Sequence, residues 1–221
     1  MNKNQIIEDI KKKIRNEELL PGAYLIERDL CEHYGVSRTP MREILFNLVN
    51  TGLVVQQRGK GFSVRKLDIK QLFEIFEARE SIEAMAAKLC CQKASKADHQ
   101  ELRNIRDQLE AIDANAHADE GVKLGRAMHR KIIETAGNSL LSEFHEKLNN
   151  MVTLTANMTQ KISGIEVDSR TYHIYIINAI LEGNEEMSEQ YMREHIIMTC
   201  QHLLHSLYPN YSGLPVGTGS N

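Results

Sequence analysis

Tryptophan is absent from this 221-residue chain, and aromatic residues make up only 5% of it. Leu, Ile, Ala, Glu and Lys dominate instead, a composition that favours helices over β-sandwiches. No stretch approaches the roughly 20 apolar residues that span a bilayer, so no membrane segment is expected. The N-terminus, Met1-Asn2-Lys3-Asn4-Gln5, has no hydrophobic run behind it, so no signal peptide is expected. Four cysteines (Cys31, Cys90, Cys91 and Cys200) show neither metal-ligand nor disulfide-framework spacing. Buried free thiols in a reducing cytoplasm are the expectation.

What is present is unevenly charged. The net charge is −3, yet residues 1–66 carry 12 Lys/Arg against 8 Asp/Glu, leaving 15 against 22 for the remainder. A basic head on an acidic body suits a protein that holds nucleic acid with one end.

The stretch Ser37–Val64 explains that basic head. Thr39 can cap a helix and Pro40 suits its first position, where a missing N–H costs nothing. Met41, Ile44, Leu45, Leu48 and Val49 then fall at the spacing of one buried helical face, with Arg38 and Arg42 one turn apart on the other side. After Gly52, the run Leu53–Gln57 reaches Arg58-Gly59-Lys60-Gly61 and returns through Phe62-Ser63-Val64, a hairpin with a basic tip. Upstream, Ile6, Ile7, Ile10 and Ile14 form the stripe of a first helix, with Lys11, Lys12 and Lys13 along its outside. Glu27–Tyr34 reads as a second helix with Ile26, Leu30 and Tyr34 turned inward, and Gly35 permits the turn that follows. Together these elements predict a winged helix-turn-helix that lays a helix in the major groove and a wing on the backbone.

These residues, with Leu20-Pro21-Gly22 and Glu27-Arg28-Asp29-Leu30, resemble the DNA-binding domain of GntR-type transcriptional regulators. The resemblance implies DNA contacts from Arg28, Ser37, Arg38, Thr39, Arg42, Arg58 and Gly59. Guanidinium groups suit the task independently, because arginine makes bidentate bonds to guanine edges or phosphates.

Arg65-Lys66-Leu67 is the expected linker. Beyond it strand signals vanish, and helices are expected near 68–93, 97–115, 119–136, 139–160, 168–182 and 185–208, punctuated by Gly137-Asn138, Ser163-Gly164 and Gly183-Asn184. The fold class expected is mainly α: a winged helix-turn-helix over 1–66, an antiparallel helical bundle over 67–209, and a disordered Gly/Ser/Pro-rich tail over 210–221.

Three of the nine histidines have a common focus. His173 lies ten residues before Gly183 and His195 eleven after Asn184, so an antiparallel hairpin brings both imidazoles to one height. His129, on an earlier helix, can meet them across a bundle. His33, His99, His117, His145, His202 and His205 are expected in surface or packing roles. The segments Met128–Ile132, Ala136-Gly137-Asn138, Tyr172-His173 and Met192–His195, with Arg79–Glu83, are similar to the FCD ligand-binding domain that often follows a GntR-type head. That resemblance implies a divalent metal on His129, His173 and His195, and an effector carboxylate near Arg79 and Asn138. For Arg79 a surface salt bridge with Glu83 is the competing expectation. One position departs from the pattern: Gly125 stands where members carry an acidic or amide ligand one turn before the first histidine. Three imidazoles still suit Zn²⁺ or Ni²⁺ rather than an oxygen-seeking metal.

The reading is a cytoplasmic, homodimeric regulator, most often a repressor in this family, that binds a palindromic operator in double-stranded DNA and responds to a small organic acid. A second possibility makes the metal itself the signal. A third, from another class, is a metal-dependent hydrolase using the three histidines, although no His-Glu-x-x-His element supplies a general base.

Overall fold

The structure, a computed structural model, describes residues 1–112, 118–154 and 165–208. His117, the Ser163-Gly164 break, the expected ends of the helices near 115 and 160, and the tail lie outside the described residues. The chain divides into two compact units, Met1–Ala78 with Ser139–Asn157, and Arg79–Asn138 with Met158–Asn221.

In the first unit, α1 (Lys3–Arg15) opens with a reciprocal cap: Asn2 accepts from the Gln5 backbone while the Gln5 side chain accepts from the Asn2 backbone. Its buried residues are the isoleucine stripe Ile6, Ile7, Ile10 and Ile14. Lys13 spans to Asp9 at 3.0 Å and to the Tyr34 hydroxyl at 3.2 Å, which commits it to the joint with the next helix. That helix, α2 (Glu27–Tyr34), ends at Gly35, whose φ of 65° is the left-handed cap that glycine tolerates without a Cβ penalty. Leu30 and Tyr34 pack on the core as expected. Ile26 does not; it precedes the helix as the cap residue and is 54% exposed.

The third helix, α3 (Arg38–Asn50), starts one residue before the expected cap. Ser37 holds the cap position with extended backbone, Thr39 lies inside the first turn, and Pro40 takes the third helical position. Proline remains harmless there, since the first backbone bond of the turn is donated by Met41 to Ser37 at 3.3 Å. Met41, Ile44, Leu45 and Leu48 are buried, and Val49 is partly so.

The wing is β2 (Val54–Gln57) paired antiparallel with β3 (Gly61–Val64), Gln57 opposite Gly61. A third strand, β1 (Tyr24–Leu25), pairs with the other edge of β3 and gives the order β1-β3-β2. Two residues carry no alternation of their own, so only pairing with the wing makes them a strand. Arg65, expected in a linker, closes the wing instead: its Nε donates to the Gly52 carbonyl at 2.6 Å and its backbone N–H to Leu53 at 2.9 Å.

The remaining helices are α4 (Ile69–Lys93), α5 (Lys96–Ala111), α6 (Ala118–Ala136), α7 (Ser139–Thr153), α8 (Ile165–Leu181) and α9 (Glu185–Leu207). The first ten residues of α4 and all of α7 belong to the winged unit, so that unit extends past residue 66. Within it, Leu154 packs on the winged-helix core and Met151 lies against Gly52, where a Cβ would stand 3.1 Å from the Met151 Cγ. Among its described residues the second unit is helical, with short connections. The α8–α9 hairpin turns at Gly183-Asn184, Asn184 capping α9 through the Met187 N–H. Its core gathers Leu102 and Leu109 of α5, Met128, Ile132 and Ile133 of α6, Ile176, Ile177 and Ile180 of α8, and Met192, Ile196, Leu203 and Leu204 of α9.

Candidate functional site

Two sets of residues carry chemistry, one in each unit. In the winged unit Arg28, Ser37, Arg38, Thr39, Arg42, Arg58 and Gly59 are all exposed. Ser37, Arg38, Thr39 and Arg42 lie in the first turns of α3 or just before them, Arg28 opens α2, and Arg58 and Gly59 form the wing tip. Gly59 has a φ of 76°, as the tight tip requires. Arg28 Nε sits 3.2 Å from its neighbour Asp29, and Arg42 Nε sits 3.3 Å from Glu27 on the preceding helix. Pairs this exposed are worth at most about 1 kcal/mol and are readily exchanged for another anion. Glu27 was not anticipated from sequence as a partner of Arg42, because the contact joins two helices at an angle no linear spacing reports.

In the helical unit His129 of α6, His173 of α8 and His195 of α9 converge. The Nε2 of His195 lies 3.1 Å from that of His129 and 3.3 Å from that of His173, and one ligand atom of each of the three lies within 4.8 Å of the others. The hairpin places His173 and His195 at one height, as the residue arithmetic requires. Burial, reinforced by His129, pushes the proton affinity of His173 well below the usual histidine range. Burial, then His173, His129 and Arg79, does the same to His195. Both are therefore neutral at pH 7 and offer a lone pair.

The donor set fits a metal ion. Zn–N bonds of 2.0–2.1 Å in a tetrahedron imply N···N edges of about 3.3 Å; the two edges that share His195 are 3.1 and 3.3 Å, and all three atoms lie within 4.8 Å of one another. Three neutral nitrogens leave a fourth position for an exogenous ligand, as in open zinc sites.

Arg79 and Glu83, one turn apart on α4, are beside this cluster. Their pair is not at the surface: Nε to Oε1 is 2.7 Å and the two side chains are 8% and 1% exposed. The second carboxylate oxygen of Glu83 lies 2.5 Å from His129 Nδ1. Sequence reasoning treated Glu83 only as a partner for Arg79; the signal that could have found its second role is its place one turn after an arginine on a helix facing α6. Asn138 lies nine residues beyond His129. It follows the C-terminus of α6, whose last residue is seven beyond His129, or about 10 Å along the axis. Gly125 is buried against His173, whose ring occupies the space a side chain at that position would need.

Among the other histidines, His202 is 3.0 Å from Asp168, His33 is 3.1 Å from Lys13, and His145 is buried in α7. Glu194, beside His195 in sequence, accepts from Gln190 at 2.8 Å on the outside of α9.

A winged helix with a basic, exposed reading face, followed along the chain by an all-helical sensor-like unit, is the build of a DNA-binding regulator. The sequence matches the gntR family of bacterial regulatory proteins over residues 2–64 and the FCD domain over residues 74–197. The chain therefore belongs to the GntR family of transcriptional regulators, with a C-terminal FCD domain.

Among its relatives, the uncharacterized HTH-type transcriptional regulator YdhC of Bacillus subtilis is 28% identical over 207 residues, spanning 92% of this chain and 91% of that protein. The HTH-type transcriptional repressor GlaR of Escherichia coli is 26% identical over 196 residues, 85% and 89% of the two chains. The solved structure of E. coli McbR/YncC shares the fold at a TM-score of 0.74 and 22% identity, covering 93% of this chain and 98% of that one. The family and its relatives are transcription regulators, which leaves the hydrolase expectation without support. Among the described residues no helix is long and apolar enough to cross a membrane.

Proposed function

We propose that this regulator is a cytoplasmic, homodimeric repressor whose affinity for a palindromic operator is set by a small organic acid. The observation that carries the effector half is the convergence of three imidazole Nε2 atoms, on three helices, on one point beside a buried arginine. A divalent ion held by His129, His173 and His195 would act as a Lewis acid, polarising and orienting an effector carboxylate in the open position. Arg79, buried on α4 and paired with Glu83 at 2.7 Å, supplies the guanidinium proposed for the carboxylate. Zn²⁺ or Ni²⁺ suits an all-imidazole set better than Mn²⁺. The repressor assignment draws support from relatives such as GlaR, named as a repressor.

On the DNA side, Arg38 and Arg42 at the start of α3 present guanidiniums to base edges or phosphates, while Arg28, Ser37, Thr39, Arg58 and Gly59 fix the head on the backbone. Twofold symmetry would then require two matching half-sites, and an effector shifts operator affinity only by binding one arrangement of the heads more tightly than another.

The test is operator binding by the full chain on its own upstream region, titrated with Zn²⁺ or Ni²⁺ and with a panel of organic acids, separately and together. Release by one acid only in the presence of metal supports the proposal. Release by metal alone would make the ion the signal, and no binding to any operator fragment overturns the DNA reading.

A further inference from the structure

The geometry points to Glu83 as a positioning residue for the histidine cluster, standing behind His129 from α4. The inference rests on the metal reading above and concerns how this chain builds the site without an acid at position 125.

Glu83 is 1% exposed, and each of its oxygens has a separate task. One accepts from Arg79 Nε at 2.7 Å; the other lies 2.5 Å from His129 Nδ1. The two atoms touch without hydrogen-bond geometry, and a carboxylate packed on that edge of the ring holds Nε2 toward His195, 3.1 Å away. Three Nε2 atoms can serve one ion only if all three are free of protons. Glu83 fixes the orientation of the His129 ring and adds a negative charge behind it. Arg79 holds the carboxylate in place.

Gly125 is one turn before His129 on α6. A Cβ built there would lie 3.1 Å from Nδ1 and 3.3 Å from Nε2 of His173, and closer still to Cε1. The imidazole of His173 therefore lies where an aspartate at 125 would begin. A side chain introduced at this position requires the His173 ring to shift. The negative charge beside the three imidazoles comes instead from Glu83 on α4.

The experiment uses the full-length protein stripped of metal, with Zn²⁺ affinity read by chelator competition and Co²⁺ coordination by its visible absorption bands. Wild-type protein is expected to bind one ion per chain. E83Q should weaken Zn²⁺ by roughly 10- to 100-fold and change the Co²⁺ bands, with E83D restoring part of both. Should E83Q fail to fold because Arg79 loses its partner, the paired R79Q/E83Q variant carries the same expectation. Wild-type affinity in E83Q or R79Q/E83Q overturns the inference. A wild-type chain that takes up neither ion overturns the metal reading itself and this inference with it.

Discussion

The Nε of Arg42 lies 3.3 Å from the Oε1 of Glu27, tying the start of α3 to the start of α2. The Arg42 side chain is 55% exposed, so the pair anchors a guanidinium at the surface without hiding it. An arginine so placed can exchange a weak intramolecular partner for DNA at little cost.

Replacing Arg42 by alanine should therefore cost roughly 1–3 kcal/mol of operator affinity per half-site and less than about 1 kcal/mol of folding stability. Fluorescence anisotropy on operator DNA together with thermal melting would check both. Operator affinity within twofold of wild type would place the reading face elsewhere.

His173→Ala should remove the metal or effector response and leave operator binding intact, because the histidine and the DNA-reading residues fall in different units. Elemental analysis of the purified variant, alongside a gel shift with and without effector, measures the two separately. Metal content equal to wild type counts against the cluster.

Acidification should destabilise the metal-free protein. His173 and His195 have proton affinities well below the usual value in the folded state, whereas in the unfolded chain they titrate near 6.5. Below about pH 6.5 the unfolded state binds protons that the folded state does not, so stability is full above that pH and falls beneath it, by up to roughly 1.4 kcal/mol per pH unit for each histidine. Urea melts at pH 7 and pH 5.5, in wild type and in the H173A variant, would show it as a smaller pH dependence in the variant.

The winged unit should be sensitive at its isoleucine stripe. Ile10 is fully buried among Met41, Ile44, Leu45 and Leu48, and truncation to alanine leaves a cavity worth about 2–5 kcal/mol. An exposed neighbour on the same helix, Lys12→Ala, should shift stability by less than about 0.5 kcal/mol. Equal midpoints for the two variants in chemical denaturation would mean that α1 is not packed as described.

Much of this was legible in the chain itself. The four-residue repeat of Ile6, Ile10 and Ile14 and the α3 face are local patterns whose burial follows from the helical period, and the wing was marked by its glycine-rich basic tip. The meeting of His173 with His195 was also readable, because a short hairpin converts sequence distance into height with a fixed rise per residue. The start of α3 lies two residues before the sequence expectation, with Ser37 rather than Thr39 at the cap and Pro40 third in the helix.

Sequence by itself determined which segments are helices, which faces are apolar and which histidines share a level. Tertiary structure alone decided that Tyr24–Leu25 becomes a strand, that α7 joins the winged unit, that Glu83 rather than a residue of α6 stands behind His129, and that His173 fills the space beside Gly125. The reason is that periodicity fixes a side chain's angle about its own helix axis, whereas contacts between helices depend on how those axes are rotated and spaced against one another. Packing sets that, and no local pattern encodes it.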